Sequence, residues 1–226
     1  MHYYIGLISE AVILFLANII ALRYKEIKEE STFSQKADVI KKMGKKAKLY
    51  SAFMFAVLLI TAVALIYYRS RENESLVFDM ERLFLIALLL VATFYDLREY
   101  RIPNKLLVYG TGVRLLFLIP EIIFEKKMLM TWVSEGIAVV AMFALAVLIL
   151  LIAEEAFGMG DIKLFAVMGA FLGISGLFVA TFYSIIVAGI CSGVLVVIKK
   201  KNMKDGVKFA PFILIGTLAA FFVLGI

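Results

Sequence analysis

The sequence predicts an all-α integral membrane protein, a polytopic bundle of about eight transmembrane helices that form a single membrane domain. Three observations support this fold class. Of the 226 residues, 63% are hydrophobic and only three are proline. Nearly every stretch longer than about 20 residues is apolar enough to span a bilayer. The Lys and Arg residues are concentrated in short loops between the apolar runs.

Residues 1–82 are predicted to form two additional N-terminal spans joined by a basic cytoplasmic loop. The spans are expected at about residues 4–22 and 49–68. The loop over residues 23–48 contains nine Lys and Arg residues interleaved with acidic ones, which is typical of a solvated connector. No Lys or Arg precedes the first apolar run and no small-residue cleavage site follows it, so we expect the first helix to be retained.

Residues 83–226 are predicted to form a six-helix core. Its spans are expected at about residues 83–95, 106–119, 132–153, 162–173, 177–198 and 209–226. Residues 162–198 are too long for one span, and Gly173-Ile174-Ser175-Gly176 is the expected break. Pro103 disfavours helix at Ile102 and suits the first turn of the following helix.

Two further features of the core spans carry expectations about packing. Arg114 lies inside the span at residues 106–119, where snorkelling of its long side chain towards an interface is favoured over a catalytic role. Two glycine pairs, each with a spacing of four residues, predict close helix packing. These pairs are Gly169/Gly173 and Gly189/Gly193.

The distribution of basic residues predicts the orientation of the chain. Eighteen of the 24 Lys and Arg residues lie in segments on one side of the predicted membrane, five lie on the other, and Arg114 lies within a span. Because Lys and Arg favour cytoplasmic loops, we expect the basic side to be cytoplasmic and both termini to be outside. This pattern explains the net charge of +6 without a nucleic-acid partner, and it leaves contact with membrane lipid open.

Asp96 and Asp161 each lie where an apolar run meets a polar loop, and the predicted orientation puts both on the cytoplasmic face. Two carboxylates at one depth can share one proton, because both cannot ionise cheaply at close range. The ionised member can activate water while the protonated member hydrogen-bonds the scissile carbonyl. This pair therefore predicts peptide hydrolysis without a metal ion, cofactor or covalent intermediate.

Gly158 and Gly160 precede Asp161 and would let another segment approach the backbone closely. Asp161 itself could cap the sixth helix. A glycine-rich turn with an Asp cap and no chemistry is an equally good interpretation of this pattern alone. Lys163 is expected to anchor its helix at the lipid headgroups in preference to pairing with a carboxylate.

Three segments in this order resemble the type IV prepilin peptidases, which are membrane aspartyl proteases of the GxGD class. The segments are Asp96 with Ile102-Pro103-Asn104, then Gly158-Met159-Gly160-Asp161-Ile162-Lys163, then Lys208-Phe209-Ala210-Pro211-Phe212. The resemblance covers roughly two thirds of the chain, from about residue 83 to the C-terminus. It implies a GxGD-protease-like fold with Asp96 and Asp161 as the catalytic pair. It also implies a supporting loop set of Gly158, Gly160, Lys163, Pro103, Asn104 and Pro211, although Ala210 stands where many members have glycine.

The resemblance also implies a substrate and a location. The substrate would be a prepilin or pilin-like precursor, whose short basic leader is removed at the cytoplasmic face of the inner (cytoplasmic) membrane. Many bacterial members carry a cytoplasmic domain with paired Cys-x-x-Cys motifs and also methylate the new N-terminus. Here the loop at residues 23–48 has no cysteine, so peptidase activity without methyltransferase activity is expected.

Two other classes of function remain open at this point. The same two aspartates could carry protons in a proton-coupled membrane transporter. Alternatively, the chain could be a non-enzymatic assembly subunit of a pilus or secretion machine. Transport should need polar groups at mid-membrane depth on several helices, whereas the charges here lie mostly at the ends of the apolar runs. The pattern leaves the oligomeric state unknown.

Overall fold

The computed structural model describes residues 10–16, 45–72, 76–125, 132–141, 144, 159–197 and 208–224. These residues are helical except at 100–103 and 208–209, and they contain no β-strand. The predicted all-α class is therefore confirmed for this part of the chain. The count of about eight spans stays a prediction, because parts of several predicted spans lie outside these residues.

The chain divides into two compact units, Met1–Ala87 and Leu88–Ile226. The first unit contains helix α1 (residues 10–16), helix α2 (Lys45–Glu72) and the first half of helix α3 (Leu76–Glu99). Its apolar cluster consists of Ala11, Leu14, Ala62, Leu65 and Leu83. The three helices of this unit are therefore joined by apolar side chains, as expected for amphiphilic or fully apolar helices that pack together.

The second unit contains the rest of α3 and four further helices. These are α4 (Asn104–Pro120), followed by a π-helical turn (Glu121–Glu125), α5 (residues 132–141), α6 (Met159–Val197) and α7 (Ala210–Leu224). The backbones of α6 and α7 approach closely at Ser184 and Gly216, where a Cβ on residue 216 would collide with the Ser184 backbone. Helices α4 and α7 begin within two residues of the predicted spans, because their start is set locally by Pro103 and by the end of a polar loop.

The predicted break in the long apolar stretch is confirmed at Gly173. Its φ of 66° and ψ of −176° interrupt the helical backbone of α6. Such a φ is readily adopted only by glycine. The N–H of Ile174, which a regular helix would bond to Ala170, donates instead to Ser134 Oγ on α5 at 3.1 Å. The break is therefore stabilised by a side chain from a neighbouring helix.

We had expected Arg114 to snorkel towards an interface, but it does not. It is buried, and its guanidinium contacts three acceptors from separate parts of the second unit. Nε donates to the Ala170 carbonyl at 2.6 Å, Nη1 to Glu121 at 2.7 Å and Nη2 to Glu135 at 2.5 Å. Snorkelling is unnecessary because two carboxylates compensate the charge inside the protein. The Ala170 carbonyl, freed by the break at Gly173, is bonded by the same guanidinium.

The two glycine pairs behave differently. A Cβ on Gly169 would lie 3.1 Å from the Cβ of Ala138, which confirms close packing of α6 on α5. Gly173 forms the break beside Ser134, so its role is conformational as well as steric. A Cβ on Gly189 or Gly193 would meet no described atom within 4 Å, so close packing at this second pair stays a prediction.

Within the described residues, two helical segments are long and apolar enough to cross a membrane, Asn104–Ile123 and Gly160–Val194. Both expose large apolar side chains. On α4 these include Val108, Leu115 and Leu116, and on α6 they include Phe178 and Ile190. Water would disfavour such surfaces, whereas lipid chains would not. The exposed faces are therefore consistent with a membrane protein.

Candidate active site

Asp96 lies near the C-terminal end of α3, with its side chain buried at 7% exposure. The backbone N–H of Ala210, the first residue of α7, donates a hydrogen bond to Asp96 Oδ2 at 3.1 Å. Thr93, one turn earlier in α3, donates from Oγ1 to the Ala210 carbonyl at 3.3 Å. Both polar backbone groups of Ala210 are therefore bonded to α3, which holds the Asp96 carboxylate in one orientation.

Burial raises the pKa of the Asp96 carboxyl above its usual range, and two nearby groups oppose the shift. Loss of water disfavours the charged form of a carboxylate. The hydrogen bond from Ala210 and the positive charge of Lys208 each lower the pKa of Asp96. The result is a carboxyl that holds its proton to a higher pH than an exposed aspartate, yet has partners for its ionised form.

Asp161 is partly buried in the first turn of α6. Our expectation that it caps this helix is wrong, because the helix begins two residues earlier, at Met159. The first turn still favours a negative side chain, since the helix dipole is positive at that end. The charge of Asp96 acts on Asp161, so the two carboxylates interact electrostatically within the second unit.

The segment after Asp96 meets the start of α6 at Ile102 and Gly160. A Cβ added to Gly160 would lie 3.2 Å from the Ile102 Cβ and 3.5 Å from the Ile102 backbone nitrogen. A side chain at residue 160 would require Ile102 to shift by a few tenths of an ångström, which favours glycine at this position. Pro103 follows in an extended conformation and is the N-cap of α4, one residue before the first turn in which we had expected it.

Lys163 Nζ donates a hydrogen bond to the side chain of Asn104 at 3.1 Å. This partner is not the carboxylate that we had considered, and the contact with lipid headgroups stays a prediction. The reason for the bond is tertiary: Asn104 opens α4, and the contact between Gly160 and Ile102 brings the first turn of α6 within its reach. The bond is exposed to solvent and contributes little stability, but it links the two sequence motifs a second time.

An alanine at residue 160 should separate the two motifs. The added Cβ forces Ile102 to move by a few tenths of an ångström, and displacement near reacting groups is costly, so we expect kcat/KM of a reaction that uses the two aspartates to fall roughly tenfold. Reaction rate and thermal unfolding should be measured together for Gly160→Ala and Gly112→Ala. A Cβ on Gly112 meets nothing within 4 Å, so this control should keep its activity. Equal losses in the two variants would contradict a role for the contact.

Pro211 is the second residue of α7 and adjoins Ala210, which binds Asp96. Proline suits this position because the first turn of a helix needs no N–H bond there. The preceding Phe209 packs near Phe165 of α6, one turn after Asp161, with ring centroids 6.1 Å apart. The start of α7 therefore lies beside the helix ends that carry both aspartates. Gly158, the remaining member of the predicted set, lies outside the described residues.

Sequence reasoning missed Lys208 and Tyr100. Lys208 Nζ donates to the Leu97 carbonyl and lies 3.7 Å from the centroid of the Tyr100 ring. The sole signal in the sequence is that Lys208 immediately precedes Phe209-Ala210-Pro211. That adjacency does not say which part of a distant helix the lysine approaches. Among the described residues, no three His, Cys, Asp or Glu side chains are grouped as a metal ion would require.

Residues 83–193, which contain both aspartates, match the type IV leader peptidase family. The match supports a type IV leader peptidase domain over this segment, which is just under half of the chain. The matched segment begins at the first predicted core span and includes α4, α5 and most of α6. The third motif at Lys208 and the whole of α7 lie beyond it.

The chain is also similar to the prepilin leader peptidase/N-methyltransferase of Bacillus subtilis (strain 168). The two sequences are 28% identical over 138 residues. The alignment covers 60% of this chain and 52% of the relative, so the chain spans about half the length of the curated relative it matches. No solved structure matches the chain. The resemblance stated from the three motifs is confirmed by the family and by this relative.

Proposed function

We propose that this chain is a membrane aspartyl endopeptidase that removes the short basic leader from prepilin or pilin-like precursors. The observation that carries the proposal is the pair of interacting carboxylates, Asp96 and Asp161, placed at adjoining helix ends within a leader peptidase domain. The proposed location is the inner membrane, with the pair facing the cytoplasm. We infer the cytoplasmic side because the basic loops lie on the same face as the pair, and such loops favour the cytoplasm.

In the proposed reaction, the ionised aspartate accepts a proton from water as the water oxygen attacks the scissile carbonyl carbon. The protonated aspartate donates a hydrogen bond to the carbonyl oxygen and stabilises the developing charge. When the C–N bond breaks, a proton passes to the leaving nitrogen, and the products are a free carboxyl and a free amine. The pair ends with one proton again. No cofactor is proposed, and the lack of methyltransferase activity stays a prediction.

The experiment is leader removal by the purified chain in lipid vesicles, read by mass spectrometry of the product. The substrate is a prepilin with a basic leader ahead of its apolar helix, and the control is the same chain with Asp96→Asn and Asp161→Asn combined. Cleavage at one bond, absent from the double variant, supports the proposal. If wild type cleaves no prepilin but shows proton flux that requires both aspartates, the transporter alternative replaces it.

The activity should depend on pH as expected for a pair that shares one proton. We expect kcat/KM to rise with pH as one carboxyl ionises and to fall again when both are ionised. Because burial raises the pKa of Asp96, the rising limb should lie above the pH at which an exposed aspartate titrates. The measurement is the cleavage rate across the pH range with substrate below KM. A rate that keeps rising well into alkaline pH would rule out the shared proton.

A further inference from the structure

The ammonium of Lys208 is held in a defined position beside the end of α3. It donates a hydrogen bond to the Leu97 carbonyl, one residue after Asp96, and it lies over the ring of Tyr100. A cation over an aromatic face is attracted by the ring quadrupole. These two contacts restrict a side chain that would otherwise sample many rotamers. The charge of Lys208 is therefore fixed close to the Asp96 carboxylate.

The conformation of Tyr100 supports the same contact. Its φ of 55° lies in the left-handed region, which is unfavourable for a residue with a side chain. The N–H of Tyr100 still donates to the Asp96 carbonyl at 3.1 Å and closes the last turn of α3. A strained residue persists where its surroundings require it. The ring of this left-handed residue is the one that lies under Lys208.

The two carboxylates have unequal surroundings. Asp96 accepts the backbone N–H of Ala210 and lies near the fixed charge of Lys208. Among the described residues, none donates a comparable hydrogen bond to Asp161. The positive N-terminal end of α6 stabilises the charge of Asp161, as the N-terminal end of α7 stabilises the charge of Asp96. The helix ends therefore act on both carboxylates alike. The Ala210 N–H and Lys208 are what distinguish Asp96.

We propose that Lys208 is a positioning residue that keeps the shared proton on Asp161, so that Asp96 is the carboxylate that activates water. This inference rests on the proposed peptidase function and names the roles of the two aspartates within it. Lys208 acts through Asp96 and need not touch the substrate. It lies beyond the segment that matches the family.

Other charged or titratable groups occupy the elements around Asp96. These are Tyr95, Arg98 and Glu99 on α3, Arg101 in the loop, Lys105 on α4, and Asp161 and Lys163 on α6. Lys163 is bonded to Asn104. Among the described residues, Lys208 is the cation that lowers the pKa of Asp96. Loss of the Lys208 charge should therefore raise the pKa of Asp96 more than loss of an exposed lysine such as Lys105 would.

The first test compares the pH dependence of cleavage for wild type, Lys208→Gln and Lys208→Arg. Without the positive charge, Asp96 ionises at higher pH, so we expect kcat/KM of Lys208→Gln to fall roughly fivefold on the acid side and little at the optimum. Lys208→Arg keeps the charge and should restore the wild-type profile. A uniform loss at every pH, with no rescue by arginine, would show a merely structural role and overturn the proposal.

The second test needs no substrate. A carbodiimide reacts with protonated carboxyls, and mass spectrometry measures its separate yields at Asp96 and Asp161. In wild type at neutral pH, Asp161 should be modified several times faster than Asp96, and Lys208→Gln should raise the Asp96 yield while Lys105→Gln leaves the ratio unchanged. An unchanged ratio in Lys208→Gln, or faster modification of Asp96 in wild type, would refute the assignment. This result stands even if no prepilin is cleaved, so failure of the peptidase function is distinguished from failure of the Lys208 role.

Discussion

Asp96→Asn and Asp161→Asn should each lower kcat for leader cleavage by about three orders of magnitude. An amide can neither accept the proton of the attacking water nor exchange a proton with its partner, and acid–base catalysis of this kind contributes factors of about 10² to 10⁴. The folded structure should persist, because the substitution is nearly isosteric. The measurement is single-turnover cleavage of a prepilin in vesicles, together with thermal unfolding of each variant.

A matched control separates chemistry from general disturbance of the helix end. Glu99→Gln makes the same carboxyl-to-amide change three residues after Asp96, at an exposed position of α3. We expect this variant to retain most of the wild-type rate. If either aspartate variant cleaves as fast as Glu99→Gln, the pair is not the catalytic centre.

Arg114→Met should destabilise the protein by about 3 to 5 kcal/mol, because it leaves the buried carboxyls of Glu121 and Glu135 without their cation. It also removes the donor to the Ala170 carbonyl at the break in α6. Arg114→Lys should recover only part of the loss, since an ammonium cannot match the planar fork that reaches three acceptors. Unfolding by heat or denaturant in detergent gives the measurement.

The control for Arg114 tests whether the loss of stability comes from leaving Glu121 and Glu135 without a cation. Adding Glu121→Gln and Glu135→Gln to Arg114→Met removes the unpaired charges, so the triple variant should be more stable than Arg114→Met alone. Arg101→Gln, at an exposed arginine, should change stability by less than about 0.5 kcal/mol. A triple variant less stable than the single one would contradict the charge-pairing explanation. The carboxylates would then stabilise the fold through other contacts.

Much of the helical architecture was predictable because its causes are local. Apolar runs of sufficient length form helices wherever they lie, and polar loops with Pro103 or Gly173 end them. The same reasoning found the break in α6, since only glycine readily adopts the backbone that interrupts it. The glycines at 189 and 193 show the limit of the approach. Their spacing is the same as that of Gly169 and Gly173, yet no described segment packs on them.

The candidate site was predictable as a set of residues but not as an arrangement. Asp96 and Asp161 were selected by their positions at the ends of apolar runs, and the family supports the chain as a leader peptidase. The surroundings of Arg114 were predicted incorrectly, and the bond from Lys163 to Asn104 was not foreseen. Arg114 pairs inside the protein and Lys163 bonds Asn104, because the segments that satisfy them are distant in sequence.

The sequence by itself predicted the helical membrane class, the choice of the two aspartates as candidate site residues, and the glycines that allow close approach. These properties depend on hydropathy, chain length and the steric freedom of single residues, all of which are local. Only the tertiary structure decided that Ala210 donates to Asp96, that Lys208 lies over Tyr100, and that the two carboxylates have unequal surroundings. Those contacts join the end of α3 to the start of α7, more than 100 residues later in the chain. Such pairings follow from how whole helices pack, and no local pattern encodes them.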